Sequence, residues 1–368
     1  MEIHILHTND MHSYLDDFAR IAYIIQQQRQ PHTLLLDAGD SVSGSIYYNL
    51  HEGKSEAELL SKLNYDAVTL GNHDFDRSSQ GISNFLAHLS IPAISSNIDF
   101  THDPLVPNLP PYLIKGGIGI FALTTLETLD KADPRPETVF KNPLETAKEM
   151  VETLDALGVK CKILLSHLGK SMDERLALAI PGIDVIMGGH THDVLYEPVN
   201  LGETLILQAG CHGKFVGELH LNLQTRAFQS KIHPINESVP EHPDFKPLID
   251  TLKQERDTYA SKIVAATMTR LNGDRHQQKS GETNLGDLVV DAYFAKAQKL
   301  GFAPDAAILN GLGVRTSLEV GPITVGDLIK VLPYSKYLLV LACSGAQLKR
   351  ALENGLYPQI SQLQVKSK

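Results

Sequence analysis

Short apolar runs recur along the first half of the chain, and each gives way abruptly to polar residues. The runs are Ile3–Leu6, Thr33–Leu36, Ala67–Leu70, Pro92–Ser95, Gly119–Leu123, Lys162–Leu165, Asp184–Met187 and Thr204–Leu207. Apolar stretches of this length, bounded by polar and glycine-rich segments, predict buried strands. Helical spacing appears between them. Ile21, Ile24 and Ile25 mark a helix over Phe18–Gln28, and Leu59, Leu60 and Leu63 mark one over Ala57–Leu63. A further helix is predicted over Pro143–Leu157. Strands alternating with helices predict an α/β domain with both sheet faces covered. From His242 to Lys262 the pattern changes. Phe245, Leu248, Ile249, Leu252, Tyr259 and Ile263 follow a 3.6-residue period on a charged background without glycine, which predicts one amphipathic helix. The domain connection is placed there, and a second α/β region follows from about Val264. No internal repeat or low-complexity tract is present.

Bulk composition narrows the function. The chain has 368 residues, 43 acidic against 33 basic, and a formal net charge of −10. That balance argues against binding to a nucleic-acid backbone. It permits an anionic small substrate if a bound metal supplies the local positive charge. Cys161, Cys211 and Cys343 are far apart and form no CxxC pair, so buried free thiols are expected rather than a zinc knuckle or a disulfide framework. No apolar run approaches the roughly 18 residues of a membrane span. The N-terminus, MEIHILHTND, has no basic start followed by a leader, so a cytoplasmic protein is expected of the chain as written.

The chemistry lies where the strands end. Ile3–Leu6 leads to Asp10 and His12, Leu34–Leu36 to Asp40, Ala67–Leu70 to Asn72, Ile163–Leu165 to His167, and Val185–Met187 to His190 and His192. Loops at one edge of an α/β sheet converge, and ligands bind there. Asp10 with His12, and His190 with His192, are each two residues apart, a spacing that points both members the same way in extended chain. Glycines beside Asp40, Asn72 and His190 permit close backbone approach. Asp and Asn oxygens mixed with imidazoles suit a pair of divalent ions of intermediate hardness, without choosing among manganese, zinc, magnesium or similar metals. In GNHDFD, Gly71–Asp76, His73 offers an acid/base imidazole, and Asp76 is spaced to hold it in one tautomer.

These segments carry a resemblance. DMH at Asp10–His12, GDSVSGS from Gly39, GNHD from Gly71, SHLG from Ser166 and GGHTH from Gly188 resemble the calcineurin-like metallophosphoesterases, and the ending of GNHDFD resembles their 5′-nucleotidase branch. The resemblance implies a four-layered α-β-β-α sandwich with Asp40 as a bridging carboxylate. One metal would take Asp10, His12, Asp40 and His192, and the other Asp40, Asn72, His167 and His190. His73 and Asp76 would form a catalytic dyad, and a metal-activated water would hydrolyse nucleoside 5′-monophosphates or related nucleotides. The same ligands would equally serve a cyclic nucleotide, a nucleotide sugar or a general phosphodiester. A non-catalytic nucleotide-binding protein is the reading from another class. His4, within a strand run, is expected to be structural, and so is His212, in AGCHGK after a strand end, where that family places no ligand.

The rest of the chain resembles the substrate domain of the same branch. GETNLGDLVVDAY at Gly281–Tyr293, NGLGVR at Asn310–Arg315 and ITVGDLIKVLPY at Ile323–Tyr334 carry the likeness. By position, Lys279, Asn310 and Arg315 would contact substrate, and Tyr334 would stack on the base as an aromatic ring can. Lys279 stands where the family has arginine and lacks its bidentate fork, and Leu312 replaces a glycine of the motif. The family's domain continues beyond the point where this chain stops, so an incomplete α/β C-terminal domain is expected. The implied layout is 1–238 for the metallophosphoesterase domain, 239–262 for a linker helix and 263–368 for the substrate domain.

Overall fold

A computed structural model of the protein describes residues 2–132, 134–278, 281–310, 313–333, 338–355 and 363–367. The chain divides into two compact units, Met1–Gln254 and Glu255–Lys368.

The first unit is built on two sheets. One contains β1 (Glu2–Thr8), β2 (Leu34–Asp37) and β3 (Ala67–Val68). The other contains β4 (Tyr112–Lys115), β5 (Ile118–Thr124), β6 (Cys161–His167), β7 (Val185–Gly188), β8 (Val199–Leu201) and β9 (Thr204–Leu207). The chain then returns to the first sheet with β10 (Phe215–Asn222) and β11 (Phe228–Pro234). The sheet orders are β11-β10-β1-β2-β3 and β8-β9-β7-β6-β5-β4. The inner strands β1-β2-β3 and β5-β6-β7-β9 run parallel, and the flanking strands pair antiparallel.

Strand alternation sorts the apolar residues into layers. Ile3, Ile5, Leu34, Leu36, Ile163, Leu165, Val185, Met187, Leu205 and Leu207 pack together between the sheets. Their neighbours point outward: Leu6 and Leu35 join one helical layer, and Leu164, Ile186 and Ile206 join the other. Both faces of the inner strands are therefore buried, which is why these strands read as continuous apolar runs. The result is the four-layered α-β-β-α sandwich. The helices Phe18–Gln28, Lys54–Lys62 and Ser78–His88 cover one side, and Pro143–Ala156 and Lys170–Ala179 the other. Asn142 caps Pro143–Ala156 by accepting from the Leu144 and Glu145 amides, with proline at the first helical position, a favourable start on both counts.

Two predicted strands are corrected. Ala67–Leu70 shortens to two residues, because the chain leaves the sheet at Thr69, whose hydroxyl donates to Ile94 O. Pro92–Ser95 makes only an isolated bridge to Val68 through Ala93. It crosses between the sheets: Ile94 N–H donates to Val68 O, and Ser96 N–H donates to Ala122 O. β4, β8 and the β10–β11 hairpin are not predicted by the apolar runs. The predicted helix over His242–Lys262 spans Lys246–Ala260. Phe245, Ile249 and Leu252 fasten its start to the first unit's core.

In the second unit, Ile263–Thr267 pairs with Gly321–Thr324, and Ala306–Asn310 pairs with Leu363–Ser367. The helix Asn284–Lys299 starts on a Thr283 cap, and Leu285, Val289 and Val290 contribute to a core with Leu309, Val314, Leu318, Ile323 and Val331. Among the described residues, no helix is long and apolar enough to cross a membrane. The expectation of buried thiols holds for Cys161 alone, since Cys211 is half-buried and Cys343 exposed.

Candidate metal centre

The site forms where both sheets deliver the carboxyl ends of their parallel strands. The first sheet supplies Asp10 and His12 after β1, Asp40 after β2 and Asn72 after β3; the second supplies His167 at the end of β6, and His190 and His192 after β7. Backbone hydrogen bonds sew the loops together. Asp10 N–H donates to Gly39 O at 2.9 Å and His12 N–H to Asp40 O at 2.9 Å. His190 N–H, from the other sheet, donates to the Asp10 carboxylate at 3.0 Å.

The paired residues do not converge as extended chain, which corrects the spacing argument. Asp10, His12, Asp40, His190 and His192 all have positive φ, 51°, 51°, 53°, 74° and 59°. Side chains rarely adopt this left-handed region, and each such residue costs about 1–2 kcal/mol. The turns curl the loops over the strand ends and bring the ligands inward.

All seven predicted ligands join one cluster. His192 Nε2 lies 3.3 Å from Asp10 Oδ1 and 3.1 Å from His12 Nε2. Asp40 Oδ2 lies 3.0 Å from His167 Nε2 and 3.6 Å from His12 Nε2, so one oxygen faces both halves of the cluster. Asn72 Oδ1 is 2.7 Å from His190 Nδ1. His73 and Asp76 stand at the rim, with His73 Nδ1 3.0 Å from Asp76 Oδ2.

The donors fit divalent cations. His167 directs Nδ1 to Ala38 O at 2.8 Å, which leaves Nε2 buried without a hydrogen bond and facing the Asp40 carboxylate. A bare imidazole nitrogen, two facing imidazole nitrogens and two buried carboxylates need positive charge between them. The glycines mark how tightly the loops close on that space. A Cβ on Gly71 would lie 2.1 Å from Asp40 Oδ1, and one on Gly189 would lie 2.9 Å from His167 Nδ1 and 3.0 Å from Asp10 Oδ2.

Electrostatics follow the same geometry. Burial alone would raise the Asp40 carboxyl, but His167, His12 and His73 outweigh it and hold the group below the usual carboxylate range. Burial opposes protonation of His73, yet the Asp76 hydrogen bond and the Asp40 charge win and raise it. Burial, aided by the Asp40 charge, pushes Asp74 up to about 8.

Several supporting residues escaped the sequence reading. Asn9 donates from Nδ2 to Asp10 Oδ2 and to Gly210 O, both at 2.7 Å, and accepts from Ala209 N–H. Asp74 accepts from the Gly71, Asp40 and Val42 amides, tying two ligand loops together. Glu127, just beyond β5, lies 3.2 Å from His190 Nε2. Its signal was available, because β5 also ends at this edge. His212 is closer than expected. Its ring stacks on Tyr14 at 4.1 Å and lies edge-on to His12 and His192.

Of the second-unit candidates, Asn310 ends the Ala306–Asn310 strand, and Arg315 is half-buried with its amide donating to Val331 O at 2.9 Å. Lys279, Tyr334 and the Asn310 side chain lie outside the described residues.

Comparison with known proteins identifies the family. Residues 3–194 match the calcineurin-like phosphoesterase family, and residues 263–368 match the 5′-nucleotidase C-terminal domain. The chain is 32% identical to the trifunctional nucleotide phosphoesterase protein YfkN of Bacillus subtilis, over 96% of its own length but 28% of that protein's. It is 30% identical to the snake venom 5′-nucleotidase of Naja atra, covering 97% of this chain and 78% of the relative. The crystal structure of a 5′-nucleotidase precursor from Thermus thermophilus superposes over 100% of this chain and 81% of its own, with a TM-score of 0.76 and 30% identity. The chain belongs to the 5′-nucleotidase family of calcineurin-like phosphoesterases, whose members work with divalent metal ions.

Proposed function

We propose that this chain is a dinuclear-metal phosphoesterase that releases phosphate from nucleoside 5′-monophosphates or related nucleotides. The observation that carries the reading is the convergence of seven ligands from both sheets, with the Asp40 carboxylate facing both halves. Asp10, His12, Asp40 and His192 would hold one ion, and Asp40, Asn72, His167 and His190 the other, manganese, zinc or magnesium each suiting the donors. Bound divalent ions supply the positive charge that acidifies water and neutralises phosphoryl oxygens.

The chain's own residues do the rest. His73 sits 3.0 Å from Asp76, which fixes Nδ1 and leaves Nε2 to present a proton to the phosphoryl or leaving-group oxygen. The Asp76 hydrogen bond favours the protonated ring. Asn9 and Glu127 orient Asp10 and His190, and Asp74 fixes the loops carrying Asp40 and Asn72. Arg315 and Asn310, with Lys279 and Tyr334, are proposed to select the nucleoside. The names of the Naja atra and Thermus thermophilus relatives support a 5′-nucleotide substrate, and that of the Bacillus subtilis relative a wider range of nucleotides.

The test is phosphate release from AMP beside hydrolysis of an aryl phosphodiester, with manganese and with chelator. Metal-dependent cleavage that favours AMP is expected. Cleavage of the diester alone would replace the nucleotidase reading with a general phosphodiesterase, and no cleavage by folded, metal-loaded protein would overturn the enzyme reading.

A further inference from the structure

A second convergent cluster lies on the helix-facing side of the first sheet. His4, in the middle of β1, is directly opposite His220 on antiparallel β10, and their rings stack at 4.1 Å. Glu218, two residues along β10, projects from the same face. Its Oε1 is 3.0 Å from His4 Nε2 and 3.0 Å from His220 Nε2, and its Oε2 is 2.7 Å from His233 Nε2 on β11. From His4 to the end of β1 at Thr8 is roughly 13 Å of strand, so the metal centre shares no residue with this cluster.

We propose that His4, Glu218 and His220 form a separate binding site for one divalent cation of the zinc class, a clamp joining β1 to β10. Their donor atoms all lie within 4.8 Å of one another. Two donors on one tetrahedral zinc ion sit about 3.3 Å apart, close to the 3.0 Å between Glu218 Oε1 and each imidazole. Two imidazoles and a carboxylate are a borderline donor set that favours zinc, nickel or copper over magnesium or calcium.

The surroundings hold the ligands as metal-site neighbours do. His233 fixes the far oxygen of Glu218. Thr33 Oγ1 lies 2.6 Å from His4 Nδ1 and also accepts from Gln30 N–H. A hydroxyl both donates and accepts, so Thr33 serves the His4 tautomer that gives Nε2–H to Glu218 and equally the one that frees Nε2 for a metal. His4 and Glu218 are buried, whereas the His220 side chain is 41% exposed. That open edge is the route of entry. It also lets the His220 ring swing off the stack, as it must, since parallel stacked rings cannot both aim in-plane lone pairs at one ion.

The experiment is equilibrium dialysis of the full chain against zinc, with bound zinc counted per chain in wild type and H220Q. One ion fewer is expected in H220Q, with manganese-supported phosphate release unchanged. Equal counts from two folded proteins would overturn the proposal. Independently of any variant, a zinc-soaked crystal of the wild-type chain should give an anomalous peak between His4 and Glu218, and its absence would overturn the proposal as well.

Discussion

Single residues decide the chemistry of the metal centre, and they separate metal holding from proton handling. His73 meets Asp76 through Nδ1, and its backbone N–H donates to Asp40 Oδ1 at 2.8 Å. His73→Ala keeps that backbone bond and removes the imidazole. Turnover should fall about 10²–10⁴-fold, the usual contribution of a positioned acid or base, with metal content unchanged in elemental analysis. Asn9 gives the opposite signature. Asn9→Ala frees Asp10 Oδ2 from its 2.7 Å hydrogen bond, and metal affinity should drop about 10–100-fold in a chelator competition titration. Gly71→Ala places a Cβ 2.1 Å from Asp40 Oδ1. Overpacking of that kind costs about 1–3 kcal/mol, and thermal unfolding should show the loss together with weaker metal retention. The candidate ligands that converge were legible because a His, Asp or Asn following a strand run is a local pattern. Asn9, Asp74 and Glu127 were not, because each also needs a partner that only folding brings near: Gly210 for Asn9, Asp40 for Asp74 and His190 for Glu127.

Among the elements, strands buried on both faces were the easiest to read. Thr204–Leu207 and the helix Phe18–Gln28 appear with the expected bounds. The β10–β11 hairpin went unread because its outward face carries Glu218, His220 and His233, which break the apolar run. The left-handed turns were also hidden, since no glycine marks Asp10, His12, Asp40, His190 or His192 themselves. The helix Lys170–Ala179 hides a carboxyl group inside its layer. Asp173 is fully buried, accepts from the Ser166 hydroxyl, and burial pushes its carboxyl up to about 8. The folded state therefore keeps a proton that the unfolded chain loses near pH 4. Stability from this group is complete below pH 4 and is lost as pH rises toward 8, by up to about 1.4 kcal/mol per pH unit. Asp173→Asn should flatten that slope and raise the melting temperature at pH 8 relative to wild type, as differential scanning calorimetry across pH 5 to 8 would record.

For the whole molecule, the metal centre should bind the two sheets together, because its ligands come from both. Chelation should abolish hydrolysis and lower the melting temperature, and manganese should restore both. At a free metal concentration of 100 times Kd the restoration corresponds to about 2.7 kcal/mol per ion. One feature of the architecture reaches back to synthesis. β1 occupies the middle of its sheet, and its neighbour on one side is β10, with Glu2 opposite Asn222. A ribosome adding about 5–20 residues per second makes these two strands roughly 10–45 s apart. Throughout that interval Ile3, Ile5 and Leu6 wait with one edge of their strand open. The nascent chain is thus most vulnerable to aggregation just before Phe215–Asn222 emerges, and chaperone contact with β1 should end when that segment does.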